Sequence, residues 1–268
     1  LASIARAAAP GLTLSGRFVQ GGAVVGHTAP RATVLLNGAP ATQASADGWF
    51  VIGFDRDAPP PALITVETPD GSANHQATIA PGTFDIQRID GLAQDQVAPS
   101  DPALLARIAA EGQRKAVGFA SRIDADYFRT GFIWPVQATR RSSSFGGQRI
   151  LNGEPKRPHY GVDLAAPVGT PVVAPAAGVV SFAETGLHFE GGLILIDHGQ
   201  GLITAYLHLS RIDVAAGQAV AQGQRIGAVG QEGRATGPHL CWRMKWRDQN
   251  LDPSLLVGLM AGKPQPHA

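Results

Sequence analysis

ATGPHLCWRMKW, residues 235–246, alternates polar or reactive side chains with apolar ones from His239 onward. That is the period of a β-strand, in which residues i and i+2 leave the same face. The alternation puts His239 and Cys241 side by side. Cys241 is the only cysteine among 268 residues, so it has no intrachain disulfide partner. A histidine and a thiol sharing one strand face can form part of a metal site, and the plainer reading is a small buried residue in a strand. The rest of the chain has to decide between them.

Thirty-three glycines, 20 prolines and a charged fraction of 16% favour turn-rich β structure over helical bundles. The net charge is +1, from 22 basic and 21 acidic residues, with no basic block or acidic tail that would mark a nucleic-acid or polyanion tether. No apolar run approaches the ~18 to 20 residues of a membrane-spanning helix. The N-terminal segment, residues 1–11, opens LASIARAAAP; its small residues read as the remnant of a processed signal segment.

Short β runs between turns fill residues 12–98, with Asn37-Gly38, Asp47-Gly48 and Asp70-Gly71 as turn dipeptides. Five to seven strands at this spacing predict an immunoglobulin-like β-sandwich without its disulfide, a spacer or docking module. His27 and His75 lie there without ligand-type neighbours. Residues 99–130 change period: Pro99-Ser100-Asp101-Pro102 is a capping signal, and Leu104, Leu105, Ile108, Ala109, Val117 and Phe119 share one face of a linker helix. A second Gly-rich β region follows over 131–258, with strands in TPVVAPAAGVVSFAE, GGLILIDHG, LITAYLHL, AVAQGQRIGAVG and HLCWRMKW. Residues 259–268 form a tail in which His267 is expected to be inert. The fold class is therefore mostly β.

Within 131–258 the residues able to do chemistry recur at strand ends beside glycines. PHYGVD holds His159 and Asp163, AYLHLS holds His208, and GPHLC holds His239 and Cys241. Histidine, carboxylate and thiolate are all good zinc ligands, and catalytic zinc sites use three protein ligands with a further position left for water. These stretches, with SSSFGGQRILNGEPKRPHYGVDLAAPVGTPVVAPAAGVV, DHGQGLITAYLHLS, VAQGQRIGAVGQEGRATGPHL and NLDPSLL, resemble the zinc endopeptidases of the lysostaphin and LytM type, peptidase family M23. The resemblance covers about residues 132–257 and none of the N-terminal part.

The resemblance implies a LytM-like antiparallel β domain that binds Zn2+. His159 and Asp163 match the first two zinc ligands, in an H-x-x-x-D element. His208 of the HLS segment and the first histidine of H-x-H, His239, match catalytic, non-ligating positions. Cys241 stands where the family has its third ligand, a histidine. Peptidoglycan peptides would be the substrate, the cell envelope or periplasm the location, and the N-terminal sandwich a contact for a wall enzyme or envelope protein. The alternative is a non-catalytic LytM-like module that binds and regulates a cell-wall amidase or other wall enzyme.

The substitution has an electronic consequence. A thiolate beside a carboxylate gives two anionic ligands in place of one, which weakens zinc as a Lewis acid and predicts slower turnover or a higher pH optimum. Retention of His159, Asp163, His208 and His239 argues against a decayed site. His188 and Asp197-His198-Gly199 are expected to be structural, and Arg149 and Asn152 to shape the cleft entrance. Tyr206 and Trp242 are expected in the core, on the strand face opposite His208 and Cys241.

Overall fold

The computed structural model describes residues 10–259. Most of the N-terminal segment, and the tail from residue 260 with His267, lie outside the described residues. Seven strands open the chain: β1 (Thr13–Gly16), β2 (Ala23–His27), β3 (Thr33–Leu36), β4 (Ala39–Gln43), β5 (Trp49–Gly53), β6 (Pro61–Thr68) and β7 (Gly71–Thr78). They form two antiparallel sheets, ordered β1-β2-β5 and β4-β3-β6-β7. Alternation sorts β6: Ala62, Ile64 and Val66 are buried while Leu63 is exposed. Val24, Phe50 and Ile52 from one sheet meet Val34, Ile64 and Val66 from the other in a common core. Asn37 and Gly38 both have positive φ, 52° and 81°, the backbone of the expected tight hairpin turn. At the third predicted turn the loop is Pro69-Asp70, and Gly71 already pairs with Thr68.

A strand β8 (Ile86–Ile89) and one helical turn α1 (Gln94–Val97) lead to the helix α2 (Pro102–Phe119). Asp101 caps it, its Oδ2 accepting from Leu104 N at 2.8 Å. The face that packs differs from the apolar stripe in the sequence. Leu105 is 46% and Val117 75% exposed, whereas Glu111 and Gly118 are buried. The reason lies in the neighbour: a side chain at Gly118 would run into Phe182 and Leu195, so the missing Cβ lets the helix approach a sheet closely. Polar tethers complete the contact, with Glu111 accepting from His188 N at 2.9 Å and Arg114 forking onto Glu184.

The remaining strands are β9 (Arg140–Ser143), β10 (Gln148–Leu151), β11 (Glu154–Pro155), β12 (Val162–Ala165), β13 (Pro171–Val173), β14 (Gly178–Leu187), β15 (Gly191–Asp197) and β16 (Leu202–Leu209). They continue with β17 (Arg211–Ile212), β18 (Ala219–Val220), β19 (Arg225–Ala228), β20 (His239–Trp246) and β21 (Gln249–Leu251). The main sheet runs β18-β14-β15-β16-β20-β12-β9, with β21 added on β20. One face carries Val180, Ile194, Ile196, Tyr206, Leu240 and Trp242 into a core; the other carries Phe182, Leu193, Leu195, Ile203, Leu207 and Cys241. Helix α2 covers part of the second face and leaves the β20 end open as a cleft.

The sandwich is seated on this sheet rather than strung from it. Its core is continuous with Phe128, Phe132, Leu202, Met244, Trp246 and Leu251. Gln200 Nε2 donates to Trp49 O at 2.8 Å, Asn250 N to Asp55 Oδ2 at 2.7 Å, and Arg56 Nε to Gly146 O at 2.7 Å.

His198 lies against that core, fully buried, its ring edge-on to Phe132. Nδ1 donates to Ala177 O at 2.7 Å, which leaves Nε2 to accept from Thr204 Oγ1 at 2.8 Å; this is a neutral imidazole. Burial pushes its pKa down to about 4, against 6.5 for a free histidine. Between these values the unfolded chain binds the extra proton, so stability is full above pH 6.5 and falls as pH drops towards 4. We expect this residue to cost about 2 kcal/mol of stability between pH 7.5 and 5. Urea unfolding of His198→Gln at the two pH values should show a flatter dependence than wild type by that amount.

Candidate metal centre

Strand pairing brings the centre together. β12 and β20 are antiparallel neighbours with Asp163 directly opposite Cys241, so the carboxylate and the thiol leave the same sheet face side by side. His159 precedes β12 by one turn of chain and folds over them. Its Nε2 lies 3.3 Å from Cys241 Sγ and 3.2 Å from Asp163 Oδ1. The three donor atoms fall within 4.8 Å of one another and all three residues are buried. No other such group of His, Cys, Asp or Glu occurs among the described residues.

The donor set fits a cation. Asp163 Oδ1 is buried and has no hydrogen-bond partner, although His159 Nε2 and His239 Nε2 stand 3.2 and 3.7 Å away. Leaving a buried carboxylate oxygen unpaired is costly, and a metal ion taken up by imidazole, carboxylate and thiolate relieves it. Burial opposes ionisation of Asp163, but the His159 ring and the charges of His159, His239 and Arg149 outweigh it and hold the carboxyl well below the usual range. Arg243 Nε donates to Cys241 Sγ at 3.4 Å.

Ser143, opposite Asp163 on β9, fixes His159: its Oγ is 2.9 Å from Nδ1. An Nδ1–H donated to the hydroxyl leaves the Nε2 lone pair for the metal. Supporting partners of this kind are typically worth 10–100-fold in metal affinity. Ser143→Ala should therefore bind zinc about 10–100-fold more weakly with little change in thermal unfolding, measured by competition against a chromogenic chelator.

His208 reaches the site through a bulge. Ile194 pairs with Tyr206 and Gly192 with Leu209, so Leu207 and His208 together oppose Leu193 alone. His208 has φ +66°, the left-handed backbone that such an extra residue uses to re-aim a side chain. Strict alternation would put Tyr206 and His208 on one face; the bulge instead sends Tyr206 into the core, beside Trp242, and His208 into the cleft. Its Nδ1 donates to Glu232 O at 2.7 Å, and His239 Nδ1 to Gly237 O at 2.8 Å. The two rings are 4.7 Å apart, and burial lowers both pKa values, so both Nε2 lone pairs are available at neutral pH.

All five residues singled out in the sequence, His159, Asp163, His208, His239 and Cys241, line one cleft of about 470 Å³. Arg149 is nearer the chemistry than the entrance role expected of it, its Nη2 3.5 Å from Asp163 Oδ2. Asn152 instead clamps the chain after β8, exchanging hydrogen bonds with Leu92. His188 is outside the donor group; His27 rests on Trp49 and His75 on Phe18. Ser143, Glu190, Arg234 and Arg243 also line the cleft. Of these only Arg243 had a readable signal, two residues after Cys241 on the same strand face.

A buried His-Asp-Cys donor set opening to a cleft on an antiparallel β domain is an arrangement that could hold a metal ion beside a bound substrate. The family model described as Peptidase family M23 matches residues 157–253, so the chain carries a peptidase M23 domain over that stretch. Among curated relatives, the peptidoglycan DD-endopeptidase ShyA of Vibrio cholerae is 45% identical over 114 residues, 41% of this chain and 26% of that one. The DD-carboxypeptidase/endopeptidase Mpg of Neisseria meningitidis is 41% identical over 121 residues, 45% of this chain and 28% of that one. The chain thus spans about a quarter of the length of these relatives. A crystal structure from Pseudomonas aeruginosa, described as a peptidase M23, matches with a TM-score of 0.69 at 29% identity. It covers 90% of this chain and 96% of its own, so the likeness takes in the sandwich as well.

Proposed function

We propose that this protein is a zinc-dependent endopeptidase that hydrolyses peptide bonds in peptidoglycan stems or cross-bridges, working in the periplasm or cell envelope. The observation that carries the reading is the buried, unpaired Asp163 Oδ1 within a His159-Asp163-Cys241 donor set, next to two imidazoles with free Nε2 atoms. The similarity to a peptidoglycan DD-endopeptidase and a DD-carboxypeptidase/endopeptidase supports the substrate class.

His159, Asp163 and Cys241 would hold the zinc, with Ser143 and Arg149 steadying the first two. When bound, zinc supplies Lewis acidity and lowers the pKa of a coordinated water to about 7. His208 and His239 then do the proton work: one Nε2 takes the proton of the attacking water, and the resulting imidazolium returns it to the departing amine. The same pair can stabilise the oxyanion as hydrogen-bond donors once protonated. Glu190, at the cleft wall, pairs through Oε1 with Lys115 at 2.7 Å, and the two imidazoles are the groups assigned the proton transfers. The sandwich, residues 12–98, and the α2 segment, residues 99–130, would position the 131–258 domain on the wall.

Digestion of purified peptidoglycan by the zinc-loaded protein, followed by mass analysis, tests this. Released peptides with new amino and carboxyl ends are expected. An intact wall after incubation with folded, zinc-loaded protein would leave a wall-binding module instead.

A further inference from the structure

The strand that supplies Cys241 goes on to carry a row of cations. On β20, Leu240, Trp242, Met244 and Trp246 are buried on the core side, and His239, Cys241, Arg243 and Lys245 alternate with them on the cleft side. Successive members of the row are about 7 Å apart, so Lys245 lies roughly 14 Å along the strand from the thiol. The metal cleft opens here into a second cavity of about 550 Å³. The two share Arg149, His159, Arg234 and Arg243.

The outer cavity is lined by Arg149, Lys156, Arg157, Arg234, Arg243 and Lys245 and by no acidic side chain. In a chain of net charge +1 this is a local concentration, not a matter of composition. One of these cations, Lys156, pairs with Glu154 outside the lining at 2.6 Å, and Asp55 accepts from Asn250 N at 2.7 Å. In the inner cleft the two acids are Asp163, turned to the donor set, and Glu190, whose Oε1 pairs with Lys115 while its charge also acts on Arg234 and Arg243. Burial, then the charges of Arg149 and Arg243, lower the Arg234 pKa against the opposing charge of Glu190, as expected where like charges are crowded. Guanidinium groups match carboxylates bidentately, and such a pair is stronger within a groove than in open water.

We propose that this trough is a substrate-carboxylate subsite: the peptide runs along β20 from the metal centre towards Lys245 and is selected for free carboxylates within about four residues of the cleaved bond. The inference rests on the endopeptidase reading for its substrate but not for its test.

Pairs of synthetic stem peptides, identical except for carboxylate or carboxamide side groups and ends, are titrated calorimetrically into the full chain at low and high salt. Binding does not depend on turnover, so this arm reports on the trough even where hydrolysis fails. The acid peptide should bind at least tenfold more tightly than its amide, with the difference shrinking at high salt. In the double variant Arg157→Gln, Lys245→Gln that preference should fall to about twofold, and for cleaved peptides the lost discrimination should be in KM rather than kcat. Equal binding of acid and amide overturns the proposal whatever the activity. So does an equal loss for both peptides in the variant, or tighter binding of a glycerol-phosphate polymer than of the acid peptide. A preference for the acid peptide without cleavage supports the trough while removing the endopeptidase reading.

Discussion

Cys241→Ala is expected to abolish both zinc retention and hydrolysis. The thiol is one of three donors, is 1% exposed, and has no protein group behind it able to replace it among the clustered residues. Loss of a ligand should cost more than the 10–100-fold typical of supporting residues, so zinc should be lost on gel filtration and peptide release should fall below detection. Cys241→His is the informative companion. A neutral imidazole in place of a thiolate leaves Asp163 as the one anionic ligand, which predicts faster turnover or a lower pH optimum. Two features of the site limit that gain. Arg243, 3.4 Å from the sulfur, already offsets part of the thiolate's charge and would face a neutral ring instead. Gly161 leaves little room: even a Cβ there would lie 3.3 Å from Sγ, so a larger ring at 241 has to shift its surroundings, at about 1–3 kcal/mol. Activity on wall peptides across pH, with zinc content measured on the same samples, checks both variants.

His208→Ala and His239→Ala should each reduce kcat/KM by about 10²–10⁴-fold and leave zinc bound. Neither ring belongs to the three-donor group, and both are held by their Nδ1–H on backbone carbonyls so that only Nε2 faces the cleft. The two variants should differ in stability. At φ +66° an alanine in place of His208 keeps an unfavourable backbone without the hydrogen bond to Glu232 O, so His208→Ala should also unfold at lower temperature. His208→Asn, better tolerated at positive φ, separates the two effects: it should recover stability and not activity.

Much of this was legible in residue order. The alternation in HLCWRMKW gave β20 and the shared face of His239 and Cys241, and Asn37-Gly38 gave a hairpin turn whose positive φ angles are what those residues allow. Three things were not legible, each for a physical reason. The bulge at Leu207-His208 depends on a count of residues against β15, which no local pattern encodes, yet it decides which way His208 points. The buried face of α2 is set by its neighbour, through Gly118 and Glu111, and runs past the exposed Leu105 and Val117. The contacts of Arg149 with Asp163 and of Ser143 with His159 follow no helical or strand period along the chain, and only the folded register brings these residues to one place.

The central claim is that a sulfur-cornered donor set holds zinc. Metal analysis of the wild-type chain, purified without chelator and then equilibrated with zinc and desalted, addresses it directly. One zinc per chain is expected, lost in Asp163→Ala and Cys241→Ala. A folded wild-type protein that retains no zinc after being supplied with it would show that this donor set does not hold the metal.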